Sequence, residues 1–462
     1  MDYDVIIIGA GLSGLAAGIR TAHFGRRVCI LEKHTRVGGL NSYYSLKGHT
    51  IDVGLHAITN YVPRQVKSTP LPRILRQLRL SYDDFQLRPQ KISRVIFPGK
   101  ELKFTNEVDF LIQEVSENFP RQIDRFIQFI HSLKAYDPPL TQEFVSSRKK
   151  LQGFFSDPLL IEMLLCPLMF YGCSWEHDMD FPQFSILFQS IFCEGFARPC
   201  GGMKNVLQLL EKKYQDHGGE LRTRSKVQEL IVHHDKVMEV HLADGQTLKA
   251  EKIISTIGLP ETRALCSSWK GAGDNHRGKH RPGVMSFLES ILILDTPPSE
   301  LGFDTTIAFY NDSERFSYRE PKDLFDPASG VICCPNNYQS DESMARGIIR
   351  LTHQASYRLW AELDQEGYRR QKEACLKESQ TVAERFIHGL SDTVSIQDMF
   401  TPMTIERYTG RMHGAVYGTP DKVRDGRTPI ENLFIAGTDQ GFLGITGAML
   451  SGMTIANLYI LS

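Results

Sequence analysis

Gly9, Ala10, Gly11, Leu12, Ser13 and Gly14 form a GxGxxG that directly follows the apolar run Val5-Ile6-Ile7-Ile8. The chemistry open to that spacing is pyrophosphate binding. Gly9 permits a tight turn, Gly11 lets a phosphate approach the backbone, and Gly14 lets a helix lie close on its strand. The helix that follows, through Leu15, Ala16, Ala17 and Ile19, offers an anion its free N–H groups and the positive end of its dipole. A second apolar run, Arg27 to Leu31, ends at Glu32, eighteen residues after Gly14. An acidic side chain there accepts the hydroxyls of a ribose. A lone GxGxxG is a weak signal. Strand, glycine turn, helix, second strand and acid in register within 32 residues predict a dinucleotide-binding domain of Rossmann type.

Past Glu32 and Lys33 stands a glycine doublet, Arg36-Val37-Gly38-Gly39, followed by Leu40-Asn41. It resembles the second pyrophosphate motif of the large FAD family that contains amine oxidases and carotenoid desaturases. Two further regions extend the resemblance. Ile51-Asp52-Val53-Gly54-Leu55-His56 is similar to the D-x-G-x-H segment of phytoene-desaturase-like enzymes. The tail from Asp398 to Ala456 carries Thr401-Pro402, Arg407-Tyr408, His413 to Gly418 and Thr428 to Gly437. Around Ala436 to Gly452 it looks more like the retinol saturase and carotenoid isomerase branch than like the bacterial desaturases.

The resemblance implies FAD as cofactor. It places Lys33, Gly38, Gly39, Leu40 and Asn41 beside the phosphates, with Leu40 where the family often has Arg, so that the charge contact falls to Arg36, Lys33 or another side chain. Val227 is implied at the adenine. Gly437 and Asp439, with Gly447 and Ala448 in the helix that opens at Gly444, are implied at the flavin end. There the acid meets the ribityl or phosphate side, and the helix dipole stabilises negative charge on the reduced ring. The implied reaction is hydride exchange between flavin N5 and a carbon of a long apolar substrate, the protein supplying orientation and a dry pocket. No catalytic side chain follows from the residues; His56 and Tyr408 are candidates for the pocket beside the ring.

The elements that must position these residues come in separated pieces. The fold class is α/β: an FAD-binding domain assembled from residues 1–60, 199–260 and 401–462, with an inserted mixed α+β substrate domain from 61–198 and 261–400. Within the cofactor domain, Val227 to Ile231, Val237 to Leu242 and Leu248 to Ile254 read as a β-meander, and Asn432 to Gly437 as a last parallel strand. In the insertions, Ser290–Leu294, Thr305–Tyr310 and Gly347–Thr352 read as strands, and Tyr357 to Ile387 as a charged helix. Phe181, Phe184, Phe188, Phe192 and Phe196 share one helix face, which makes them either core or the wall of an apolar tunnel.

The 462 residues carry 53 basic and 54 acidic side chains, a net charge of -1. Nothing in that balance indicates a nucleic-acid partner. Nine scattered cysteines without CxxC fit a reducing compartment; Cys173 and Cys200 read as buried small hydrophobes before reactive thiols. No His/Cys cluster has zinc spacing, and adjacent His233-His234 point to opposite faces of a hairpin, so no metal is expected. The strand at Tyr3 leaves no place for a signal peptide, and the uncharged stretch from Gln440 to Ser462 reads as a buried helix, so a cytoplasmic protein is expected. It would be peripheral at the inner face of a membrane if residues 64–94 dock there. That segment holds eight Lys/Arg against two Asp, with Leu71, Ile74, Leu75 and Leu78 on one face and Arg73, Arg76 and Arg79 between them. Without a second GxGxxG, the electron acceptor stays open among oxygen, a quinone and a transient nicotinamide. Two other readings stand beside an isoprenoid or carotenoid substrate: an amine-oxidase-like enzyme on a small amine, and a non-catalytic flavin-binding interaction protein.

Overall fold

The computed structural model describes residues 1–54, 57–138, 143–266, 269, 281–340, 344 and 346–462. Its first layer is a parallel sheet with helices on one face. The elements that bear on the site are, in chain order, β1 (Tyr3–Ile8), α1 (Leu12–His23), β2 (Val28–Leu31), α2 (Pro70–Gln77), α3 (Met203–Asp216), β3 (Glu220–Arg222), β4 (Ala250–Ser255), α4 (Pro402–Thr409), β5 (Leu433–Ile435) and α5 (Gly444–Ile455). The strands lie in the order β5-β4-β1-β2-β3, all parallel, with Val5 opposite both Val28 and Lys252. β1 sits mid-sheet, which is why residues 5 to 8 are apolar without alternation. α1, α2, α3 and α5 cover one face, and the meander from Val227 to Leu248 lies against the other. The reading of a Rossmann-type sheet built from distant segments is therefore the architecture observed.

A second sheet has seven strands, in the order Val394–Phe400, Ser286–Leu294, Gly347–Ala355, Ser329–Cys333, Ile307–Asn311, Ser93–Phe97 and Lys100–Phe104. It is antiparallel except where Ile307–Asn311 runs parallel to Ser93–Phe97. Helices between residues 108 and 188 cover one face and Gln365–Glu384 the other. The charged helix expected over residues 357–387 is two helices, Tyr357–Ala361 and Gln365–Glu384, because Asp364 caps the second by accepting from Gly367 N–H at 2.7 Å.

Two alternatives left open by periodicity are decided by packing. The phenylalanines of the 181–196 tract are buried against Phe126, Phe129 and Phe104, and none of them lines the large cavity described below. They are core. The apolar face of α2 is likewise spent internally: Leu71, Ile74, Leu75 and Leu78 are fully buried against the helices of the cofactor sheet. The exposed residues of α2 are Pro70, Arg73 and Arg76, with Arg79 exposed just past its end, so α2 has no apolar stripe left to insert in lipid. Among the described residues no helix is long and apolar enough to cross a membrane, and no group of three metal-ligating side chains occurs.

The second sheet holds a neutral polar ladder. His353 is completely buried; its Nδ1 lies 3.2 Å from the Ser329 carbonyl and its Nε2 3.1 Å from Ser379 Oγ, which in turn accepts from Ser290 Oγ at 3.0 Å. Burial disfavours the imidazolium and pulls this histidine from 6.5 to about 4. The unfolded chain therefore binds more protons than the folded one between these values, and stability falls as pH drops through that window, by up to about 3 kcal/mol. Thermal unfolding of wild type should shift downward from pH 6.5 to pH 4, and His353→Gln should show a shallower dependence over the same range.

Candidate cofactor and active site

The two glycine motifs, separated by a helix and a strand, meet. Gly38 N–H donates to the Ala10 carbonyl at 2.8 Å, Gly11 and Gly38 pair as an isolated parallel bridge, and a Cβ on Gly39 would lie 3.8 Å from Gly11 Cα. The contact needs Gly38 at φ +112° and Gly9 at φ +99°, conformations open to glycine at little cost. α1 starts at Gly11 with no side-chain cap and no acid in its first turn, so its N–H groups and dipole are left for an anion. Gly14 serves a different purpose: a Cβ there would sit 2.0 Å from the Gly9 carbonyl oxygen, whereas one on Gly11 would meet nothing within 4 Å.

Around this seam lies a cavity of about 1050 Å³. Gly9, Gly11, Ser13, Glu32, Lys33, Gly38, Gly39, Leu40, Asn41, Val227, Gly437 and Ala448 line it, so one wall gathers residues from three distant stretches of chain. Glu32 is buried, its two carboxylate oxygens accepting from Ala10 N–H and His34 N–H at 2.8 Å each. Val227 is set at the same end because Ser225 N–H donates to the Glu32 carbonyl and Arg224 N–H to the His34 carbonyl. Burial holds Lys33 below its ordinary pKa, and its Nζ donates to the Arg407 carbonyl at 3.3 Å. Arg36 also lines the cavity, with its guanidinium over the Tyr43 ring.

Four of the expected residues do not reach the cavity wall. Ala10 and Gly14 act through the backbone and through close packing, and Gly447 lies behind Ala448 against Phe442. Asp439 departs most from expectation. It is fully buried, and its oxygens accept from Leu259 N–H at 2.6 Å, Thr419 N–H at 3.0 Å and Arg411 at 3.2 Å, with Lys422 Nζ at 3.9 Å. A carboxylate placed so deep needs those donors more than it needs a cofactor hydroxyl. Tyr408 is also displaced from its expected place. It is 52% exposed and edge-on to His34, beside the ribose acid and not beside the flavin end. His56 lies outside the described residues.

Opposite the cradle stands a cover that sequence reasoning did not find. α4 and the turn after it contribute Met403, Ile405, Arg407, Gly410, Arg411 and Met412 to the cavity. Polar contacts hold this cover from behind: Tyr357 OH donates to Glu406 at 2.7 Å, and Met412 N–H to Glu261 at 2.7 Å. Glu261 Oε2 is buried at the cavity wall without a hydrogen-bond partner among the described residues, and burial raises the carboxyl's pKa. Lys422, buried behind Asp439, is pulled down to about 8 by the same desolvation.

The hairpin of Tyr43–Leu46 and His49–Asp52 enters the site between two arginines. Asp52 accepts from Arg198 and from Met203 N–H at 3.0 Å. Arg350, 1% exposed, donates to the Asp52 and Val53 carbonyls while its Nε holds Glu289 at 2.7 Å. The mixed sheet thus grips the backbone of the segment that forms the cavity's floor. No periodicity marks Arg350; the one available signal was an arginine inside an apolar strand.

A long cavity with the uncapped N-terminus of α1 in its wall, a seam of two glycine motifs beside it and an acid at the ribose position fits FAD. The fold and site define a dinucleotide-dependent oxidoreductase. Residues 12–459 match the family of flavin containing amine oxidoreductases; the chain belongs to that family and is an FAD-dependent oxidoreductase. It is 22% identical over 510 residues to the chloroplastic prolycopene isomerase of Arabidopsis thaliana, over 98% of this chain and 82% of that one. It is 24% identical over 288 residues to the lycopene-forming phytoene desaturase of Pseudescherichia vulneris, over 56% of each. The fold is similar to that of an oxidoreductase from Methanosarcina mazei, with TM-score 0.68, 16% identity, and 98% of this chain and 99% of that one covered.

Gly11→Ala should leave the stability of the FAD-free protein unchanged yet weaken FAD binding at least tenfold. Gly14→Ala should destabilise the fold itself by several kcal/mol; flavin content and thermal shift separate the two. Arg350→Met leaves Glu289 buried without its cation, and should cost about 3–5 kcal/mol in denaturant unfolding.

Proposed function

We propose that the protein acts on the C=C bonds of a lipophilic isoprenoid or carotenoid-like substrate, with isomerisation or saturation favoured over desaturation. The observation that carries this reading is the extent of similarity: it runs through 98% of the chain for a prolycopene isomerase and through 56% for a phytoene desaturase. The apolar side chains that face the cradle, among them Val53, Met399, Phe400, Met403 and Met412, suit an apolar ligand. Flavin, when bound, supplies hydride exchange at N5 with a substrate carbon.

The roles proposed for this chain's residues follow the cavity. Gly9, Ala10, Gly11, Ser13 and Gly14, together with Gly38, Gly39, Leu40 and Asn41, enclose the pyrophosphate. Lys33, Arg36 or Arg411 supplies positive charge near it, and Glu32 accepts the ribose hydroxyls. Val227 borders the adenine, and Gly437, Gly447 and Ala448 set the flavin end on the N-terminus of α5. Asp439 acts from behind by fixing Arg411. Residues 1–60, 199–260 and 401–462 are proposed as the cofactor domain, and 61–198 with 261–400 as the substrate domain.

The experiment is anaerobic spectroscopy of the FAD-loaded protein, pre-reduced and oxidised, with acyclic polyenes and with amines, products being separated by chromatography. Isomerised or saturated polyene from the reduced enzyme is the expected result. Bleaching of oxidised flavin by a polyene would establish a desaturase; bleaching by an amine, with no polyene turned over, would overturn the proposal.

A further inference from the structure

At the end of α1 away from the glycine loop, cations from three helices converge. Arg20 and His23 close α1. Arg79, one residue past the C-cap of α2, brings its Nε to 3.2 Å from His23 Nε2, and Arg20 reaches the Gln77 carbonyl at 3.4 Å. The last turn of α3 adds Lys213, and His217 beyond it meets the His23 ring at 4.9 Å. Burial, then the positive charges of Arg79, His217, Arg20 and Lys213, hold His23 below its ordinary pKa. Arg73 and Arg76 are exposed on α2 and Arg26 in the turn after α1, and none of the three makes an ion pair among the described residues. In a chain of net charge -1, this is a concentration of one sign and not a reflection of composition.

Two large apolar side chains stand exposed beside these charges: Phe24 at 52% and Leu458 at 51%. Phe24 caps α1 and carries the Arg20 guanidinium 4.6 Å above its ring. Leu458 belongs to the turn Ala456–Ile460, which Arg20 Nε ties to α1 through Asn457 at 2.8 Å. Beside Phe24 opens a surface cleft of about 490 Å³, lined by Asp4, Arg20, Phe24, Arg26, Asn457 and Leu461. Asp4 is already paired with Arg27 at 2.8 Å.

We propose that this face docks the protein on an anionic phospholipid surface. The cleft takes a lipid phosphate between Arg20 and Arg26, Arg73 and Arg76 lie among the headgroups, and Phe24 and Leu458 reach the headgroup–acyl boundary. An aromatic ring and a leucine exposed beside a cluster of arginines match an interface that is charged outside and apolar beneath. An acidic protein or nucleic acid would use the arginines and leave Phe24 and Leu458 unaccounted for. Because the apolar face of α2 is held in the core, the contact is shallow, reversible and sensitive to salt. It lies roughly 18 Å from the glycine loop along α1, so its loss leaves cofactor binding intact.

The test is flotation of the flavin-loaded full chain with vesicles of phosphatidylcholine alone and of phosphatidylcholine mixed equally with phosphatidylglycerol. Wild type should float with the mixed vesicles only and be released by high salt. The triple variant Arg26→Glu/Arg73→Glu/Arg76→Glu should lose at least tenfold in partitioning with flavin absorbance unchanged, and Phe24→Ser/Leu458→Ser should lose several-fold. If the charge-reversed protein loses flavin, Arg26→Gln/Arg73→Gln/Arg76→Gln is read in the same way. Equal flotation of wild type and variants, no flotation of wild type, or binding to heparin or an acidic protein without binding to vesicles overturns the proposal.

Discussion

The structure depends on one backbone contact: the seam where Gly38 N–H meets the Ala10 carbonyl and Gly11 pairs with Gly38. Two loops, each leaving the carboxyl end of a parallel strand, meet there because Gly9 and Gly38 take positive φ values open to glycine, +99° and +112°, while Gly11 leaves the space beside the contact open. The seam turns two separate turns into one groove of N–H groups. It also fixes where β1, β2 and α1 stand relative to each other, since α1 must begin at Gly11 for its N-terminus to face the groove. An anion of the size of a pyrophosphate is the complement of that geometry.

Holding distant segments around the groove falls to buried charge. Asp439 gathers Leu259, Arg411, Thr419 and Lys422, and Arg350 joins Glu289 in one sheet to the Asp52 and Val53 carbonyls in the other layer. Such groups contribute little net stability, because desolvation offsets their attraction. Their effect is on geometry. Several donors from separate segments converge at once on a single acceptor set, and alternative placements of the segments would leave a charge buried and unpaired. A cover such as α4 can therefore be held at a set distance from the cradle without an apolar contact filling the space between them.

Apolar burial does the remaining work and removes two attractive readings. Five phenylalanines on one face, and a basic amphipathic helix, are both patterns that function can use. Here both are claimed by the core, since a face of that size buried among helices stabilises more than the same face lining a hydrated channel or lying exposed. What remains on the outside of α2 is its charge, and that charge acquires meaning only next to His23, Phe24 and the C-terminal turn, which are far from it along the chain.

Much of the cofactor half was legible in the residues. The buried strand, the glycine spacing, the terminal Glu32, the second doublet and the strand before Gly437 each depend on local sequence, because turn geometry and strand burial are local demands. The seven-stranded sheet was legible only as separate strands; its order joins residues 93–104 to 307–311, a pairing that no local pattern encodes. Asp439 and Tyr408 were read in the right neighbourhood but with the wrong partners, since which way a side chain turns is settled by what packs against it. Arg350, Arg411 and Glu261 were not read at all, because a buried charge owes its place to partners brought from elsewhere by the fold. The sequence by itself determined the nucleotide-binding chemistry, which backbone conformations of a few glycines dictate. The tertiary structure alone decided which charges meet, which apolar faces are spent, and which surface is left to face a partner, since those depend on contacts between residues hundreds of positions apart.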